Sequence, residues 1–192
     1  EHISAYSLTV EKNTALHSMV KNKTVIMPSE EVDKKMFLST ISYLEQKNYM
    51  HYEISNFSKK NKKCEHNLHY WRLEPYLAFG PGAHGFDGKK RWWNKKSIDY
   101  YLNKLENNEL PTESEEILTP KDAFNETIMN GLRLIEGAKI KKLNSYLDID
   151  IKDHLEPYMG KWPYINNNGK NLTVKKEGLL FTDEIITDLF LI

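Results

Sequence analysis

A single cysteine, Cys64, stands in 192 residues, which excludes an internal disulfide framework and suits a reducing compartment. A charge bias is missing as well. Lysine plus arginine number 27 and aspartate plus glutamate 27, so no global field draws in nucleic acid or an anionic membrane. No apolar run approaches the roughly 20 residues that a membrane-spanning helix needs, and no basic-then-apolar leader opens the sequence. Internal repeats and low-complexity tracts are absent too. What is present, 40% hydrophobic and 28% charged residues, is the composition of a soluble folded protein of one ordinary domain or two small ones. The expected location is the cytoplasm. The opening EHISAYSLTV carries no methionine and already alternates apolar with polar residues, which reads as a fragment of something longer.

That alternation, through Ile3, Ala5, Leu8 and Val10, predicts a strand over residues 2–10. Ser29 then caps a helix, with Glu30 and Glu31 near the positive end of its dipole and Val32, Met36, Phe37, Ile41 and Leu44 on one face. YMHYEIS follows as a short strand, and strand, helix, strand is the unit of a parallel α/β sheet. NFSKKNKK reads as a solvated basic turn. The apolar run YLAFG enters the turn GPGAHG, KRWWN predicts another strand, and Ser97 caps a helix carrying Ile98, Tyr101, Leu102 and Leu105. The polar, acidic ENNELPTESEE is the expected domain boundary, placed after residue 112.

Beyond it, Thr119-Pro120-Lys121-Asp122 starts a helix with proline at its first position and an acid at its third. Phe124, Ile128, Leu132 and Ile135 continue it and Gly137 stops it. Ile140, Leu143 and Leu147 mark a second helix and DIKDHLEPY a third. NLTV, the turn KKEG and LLFT predict a hairpin, and Thr182 the cap of a last helix with Ile185, Ile186 and Leu189. Three helices followed by a two-stranded wing is the order of a winged-helix module. Phe124, Ile128, Leu132, Leu143, Leu180 and Ile186 are its expected core.

Three motifs invite chemistry. GPGAHG matches the G-x-G-x-x-G pattern, yet FDGKKRWWN after it is a poor helix start, so the pyrophosphate-binding reading lacks its helix. A tight turn or close backbone approach, with a ligand as one candidate for what approaches, is preferred. Cys64, His66 and His69 are of zinc-ligand type but lack a second spaced pair; the expectation is no metal site. A nucleic-acid role for the tail is disfavoured because DIKDHLEPY offers one lysine among three acids to a polyanion.

Seven segments carry a resemblance: HISAYSLTVEKNT (2–14), YEISNF (52–57), CEHNLHYW (64–71), YLAFGPGAH (76–84), RWWN (91–94), GLRLIEG (131–137) and EGLLFTDEII (177–186). In this order the chain resembles the oxygen-independent coproporphyrinogen III oxidase-like radical-SAM family, and within it the haem-chaperone branch. The resemblance implies an α/β fold: residues 1–112 as late strands and loops of a partial (β/α) barrel, 113–192 as a helical, winged-helix-like domain. It further implies haem binding through the branch's H-N-x-x-Y-W motif, met here by His66, Asn67, Tyr70 and Trp71. Imidazole is a common haem-iron ligand and flat aromatics suit a porphyrin face. Asn67 is expected to fix the imidazole by a hydrogen bond, and Cys64 is an alternative ligand.

Implied partners are haem or porphyrin and haem-accepting proteins, with peripheral membrane contact left open. The longer family members also use a [4Fe–4S] cluster and S-adenosylmethionine; Thr9 matches a position near the latter. One cysteine cannot hold that cluster, so no catalytic residue is expected within this chain. The alternatives are part of a coproporphyrinogen oxidase and, more distantly, a winged-helix nucleic-acid-binding protein.

Overall fold

The computed structural model describes residues 1–147 and 149–192, which form a mixed α/β protein of two compact units, Glu1–Lys63 and Cys64–Ile192. The first holds β1 (His2–Ser4), α1 (Ala15–Lys21), α2 (Glu30–Gln46), β2 (Met50–Glu53) and β3 (Asn56–Ser58). Ser29 caps α2 as expected, its hydroxyl accepting from the Val32 N–H. The expected parallel pairing of the first two strands is not what forms. Ile54 and Ser55 turn the chain straight back, and β3 inserts between β1 and β2, antiparallel to both. The three residues read as the start of a solvated basic turn are therefore a buried strand. β1 stops at Ser4, where its three-residue partner ends, and residues 5–13 lie outside helix and strand.

The second unit begins with α3 (Glu65–Trp71). β4 (His84–Phe86), β5 (Lys90–Asn94) and β6 (Thr112–Ile117) make an antiparallel sheet in that order, with α4 (Ile98–Glu106) between β5 and β6. The acidic stretch read as a linker thus supplies an edge strand, where its glutamates meet water and Lys90 pairs with Glu115.

α5 (Pro120–Gly131) opens on a full capping box: the Thr119 hydroxyl accepts from the Asp122 N–H and the Asp122 carboxylate accepts from the Thr119 N–H. β7 (Ala138–Lys139), α6 (Ile140–Leu143), α7 (Ile151–Met159), β8 (Ile165–Asn167), β9 (Asn171–Val174), a 3₁₀ turn over Lys176–Phe181 and α8 (Thr182–Asp188) complete the chain. The third sheet runs β7-β9-β8.

The hairpin here is β8–β9, not NLTV with LLFT. Gly169 at φ +80° and the Asn167 and Asn168 side chains, accepting from the backbone at 169–171, make the reversal. LLFT falls instead in the 3₁₀ turn and the first residue of α8. Thr182 lies inside α8 rather than capping it, and its hydroxyl donates back to the Leu179 carbonyl. Phe124, Ile128, Leu132, Leu143 and Ile186 share one core with Leu172, Ile185 and Leu189. Leu179 takes the buried place expected of Leu180, because a 3₁₀ turn does not keep a strand's alternation. α5 ends at Gly131, and Ile135 beyond it is exposed.

Candidate functional site

The sequence CEHNLHYW forms α3 with Cys64 as its N-cap residue, in no disulfide. Seven residues make a marginal helix by themselves. Leu68, 2% exposed, buries one side of it. The far end is tied down by three contacts. Leu73 adopts φ +54° and turns the chain, and the Arg72 guanidinium donates to Glu136 at 3.1 Å through two nitrogens. Lys142 donates to the Arg72 carbonyl at 3.0 Å.

His66 and Tyr70, one turn apart, share the exposed face, with the rings edge-to-face at 5.0 Å and 86°. His66 makes no hydrogen bond or ion pair among the described residues, whereas His69 pairs through Nδ1 with the Glu74 carboxylate. Asn67 is adjacent in sequence and so about 100° around the helix; no hydrogen bond joins it to His66 among the described residues. Trp71, the last residue of α3, is half-buried.

The aromatic surface continues past the motif. Tyr76 lies 4.6 Å from Tyr70, ring centre to ring centre, and Phe86 6.1 Å from Tyr76. Reciprocal 2.8 Å backbone hydrogen bonds hold Tyr76 against Phe86. Below these rings is a cavity of about 220 Å³ whose walls include Tyr70, Trp71, Tyr76, Phe86, Arg91 and Glu126. The Arg91 guanidinium sits 5.7 Å from the Phe86 ring and donates to both Glu126 oxygens, at 2.9 and 2.8 Å. That carboxylate raises the Arg91 pKa further above its ordinary value, against the opposing effect of burial.

GPGAHG behaves as a turn that needs glycine, with Gly80 at φ +101° and Gly82 at φ +68°, and it leads into β4 rather than a helix. The buried Asn94 side chain donates to the Ala78 and Gly80 carbonyls and holds the loop. A Cβ on Gly85 would lie 2.3 Å from the Trp92 ring, so the room that glycine leaves is taken by indole. Thr9 is exposed, five residues past the end of β1. It is not among the residues lining the 510 Å³ cleft of the first unit, which include Tyr6, Leu8, Ile26 and Phe37. Among the described residues no three His, Cys, Asp or Glu gather to hold a metal ion. With one cysteine in the chain, its residues do not fit a [4Fe–4S] cluster.

Arg91 was visible in sequence only as part of RWWN. Its partner is 35 residues away, and no local pattern marks the pair.

No protein-family model matches the chain. Haem chaperone HemW of Bacillus subtilis is 32% identical over 142 residues, 74% of this chain and 38% of that protein. HemW of Mycobacterium tuberculosis is 29% identical over 189 residues, covering 98% of this chain and 47% of the relative. The chain is a relative of the HemW haem chaperones. The mitochondrial radical S-adenosyl methionine domain-containing protein 1 of Danio rerio is 27% identical across the whole of this chain and 46% of its own length. The radical-SAM resemblance carried by the seven segments is thus matched by named relatives. This chain spans less than half the length of these three proteins. Among solved structures, the radical-SAM coproporphyrinogen III oxidase HemN of Escherichia coli superposes with a TM-score of 0.63. The two are 16% identical, and the match covers 84% of this chain and 42% of the oxidase, a likeness of fold. No described helix is long and apolar enough to cross a membrane.

Proposed function

We propose that this chain carries the haem-receiving surface of a radical-SAM-family haem chaperone and passes haem to acceptor proteins. His66 is the iron ligand, Tyr70 and Trp71 are the aromatic surface beside the porphyrin, and Asn67 lies next to the ligand on the same helix. The supporting observation is the state of the imidazoles on α3. His66 is exposed with no hydrogen-bond partner among the described residues, while His69 is engaged by Glu74. A ligand must offer a nitrogen lone pair, and His66 does so without breaking an ion pair.

Exposure also suits transfer. An exposed ligand residue such as His66 holds the haem where an acceptor protein can reach it. In this reading residues 1–112 supply late strands of a partial (β/α) barrel and 113–192 a winged-helix-like tail. What supports the tail is the order α5, β7, α6, α7, β8, β9; what supports the barrel is the likeness of fold to the oxidase. Thr9 belongs to this proposal as a contact for S-adenosylmethionine in a longer protein.

The test is a haem titration followed at the Soret band. His66→Ala loses the ligated spectrum, while Cys64→Ala and His69→Ala keep it. Equal spectra for wild type and His66→Ala would remove His66 from the site.

A further inference from the structure

The motif residues Tyr70 and Trp71 are also walls of the cavity that Arg91 and Glu126 close. At about 220 Å³ this cavity is below the roughly 300–1,000 Å³ usual for a whole small ligand. It is too small for a porphyrin but has room for one edge of it. Three of its walls, Tyr70, Tyr76 and Phe86, are flat rings in sequence from the exposed His66. At the end of that row stands a guanidinium fork whose two parallel N–H donors already hold a carboxylate bidentately. Side-chain exposure of 25% for Arg91 and 16% for Glu126 keeps the pair mostly out of water yet open to the cavity. Glu126 makes no other hydrogen bond or ion pair among the described residues, so nothing else holds it in place.

Resting on the haem reading above, we propose that Arg91 is an anion anchor for the porphyrin's carboxylate edge. A tetrapyrrole propionate enters between Tyr70, Trp71, Tyr76 and Phe86 and replaces the Glu126 carboxylate on the Arg91 fork. The exchange keeps the number of charge-assisted hydrogen bonds to Arg91, since one carboxylate leaves as the other arrives. Glu126 therefore acts as an internal competitor. It satisfies the guanidinium while the site is empty and sets how tightly the carboxylate edge is held. The flat ring of the ligand extends along Tyr70 toward His66, so that iron ligation and propionate capture occupy opposite ends of one surface.

Iron-free protoporphyrin IX separates this contact from His66, because it carries the propionates and has no metal to ligate. Its binding and that of its dimethyl ester are measured by fluorescence titration of the whole chain as wild type, Glu126→Gln and Arg91→Leu. The diacid binds wild type more tightly than the ester. Glu126→Gln tightens the diacid several-fold, and Arg91→Leu weakens it about tenfold or more, the size of a lost charge-assisted pair. Neither substitution moves the ester. A pair that only ties β5 to α5 would lower stability in both variants and leave the acid and ester curves together, which overturns the proposal.

If Arg91→Leu does not fold because Glu126 is left unpaired, the acid–ester contrast in wild type and in Glu126→Gln decides alone. Haem ligation through His66 with no acid–ester contrast removes the Arg91 anchor and leaves the haem reading standing. Absence of binding by haem and both porphyrins to wild type removes both.

Discussion

Helix α5 and its C-cap residue Leu132 turn Phe124, Ile128 and Leu132 onto a core to which Leu155, Leu172 and Ile185 also belong. Helix α2 carries a stripe of the same kind, yet Ile41 and Leu44 are buried while Val32 and Met36 lie exposed. Around it the first unit also exposes Tyr6, Leu8 and Ile26. Periodicity names the face of a helix that is ready to be buried. Whether it is buried depends on what is laid over it, and in the tail three helices and a three-stranded sheet do so at once. The candidate haem helix lies between these extremes, with Leu68 buried and His66 and Tyr70 presented outward.

The comparison breaks most directly by truncation. Leu132→Ala removes a side chain that is 2% exposed and leaves a cavity among packed neighbours, an expected loss of about 2–5 kcal/mol. Met36→Ala, at a position 45% exposed, should stay within about 0.5 kcal/mol. Two units need not unfold together, so amide hydrogen exchange resolved by segment is the measurement that assigns each loss to its unit. Equal effects at the two positions would mean that α2 and α5 do not differ as described.

Glycine usage separates the units further. All nine glycines lie in the second unit, while the first makes its positive-φ turns with Asn13, Lys23, Asn48 and Asn61. Gly137, at φ +79°, has no room for a side chain: a Cβ would lie 2.2 Å from the Leu172 carbonyl oxygen. Gly137→Ala should cost about 1–3 kcal/mol from backbone strain, with the backbone of β9 forced to move. Lys23→Gly in the first unit is expected to raise stability by less than about 1 kcal/mol, as relief of φ +60° outweighs the added freedom of the unfolded chain. Thermal melts of both variants check the opposite signs.

What could be read from the sequence followed how local the deciding interaction is. Ser29, Ser97 and Thr119 were legible as caps because the hydroxyl meets an N–H three residues on. The tail core was legible for the same reason of spacing. The insertion of β3 between β1 and β2 was not, since it depends on a two-residue turn whose strand carries Asn56 and Ser58 rather than a branched apolar run. The Asn168–Gly169 reversal competes in the sequence with KKEG, an equally turn-like stretch whose residues form part of a 3₁₀ turn and the approach to it. At the site, Cys64, His66 and His69 were alike as ligand types. His69 was distinguished by Glu74, five residues on. The Arg91–Glu126 pair needed β5 and α5 to be brought together first.

The capping box gives a smaller test. Thr119→Ala removes the hydroxyl that accepts from the Asp122 N–H, and also its hydrogen bond to the Asp122 carboxylate, the larger of the two Thr119 contacts that hold this carboxyl below its ordinary pKa; the backbone N–H contact stays. An expected loss of about 1 kcal/mol in thermal or urea unfolding follows from the exposed cap. No change would mean that the first turn of α5 is held by tail packing alone.

The finest distinction concerns buried polar groups. The tail buries Thr127, Asn130 and Thr182, which are neutral at every pH, whereas the first unit buries Glu53, 1% exposed. Burial pushes the Glu53 carboxyl above its ordinary pKa, and hydrogen bonds from the Asn56 side chain and the Ser55 N–H only partly oppose that. A carboxyl with a raised folded-state pKa favours the folded state while protonated. Its contribution is fully present below the unfolded pKa, near 4.3, and is lost as pH rises through the higher folded value. The first unit should therefore lose stability on going from acid toward neutral pH at this one group, opposite in direction to Asp122 in the tail. Glu53→Gln keeps a neutral side chain of the same shape and should flatten that part of the profile, gaining on wild type as pH rises. Hydrogen exchange of β2 and β3 amides in both proteins, corrected for intrinsic rates at each pH, reads the difference. Parallel profiles would show that Glu53 is ionised in the folded unit as readily as in the unfolded chain.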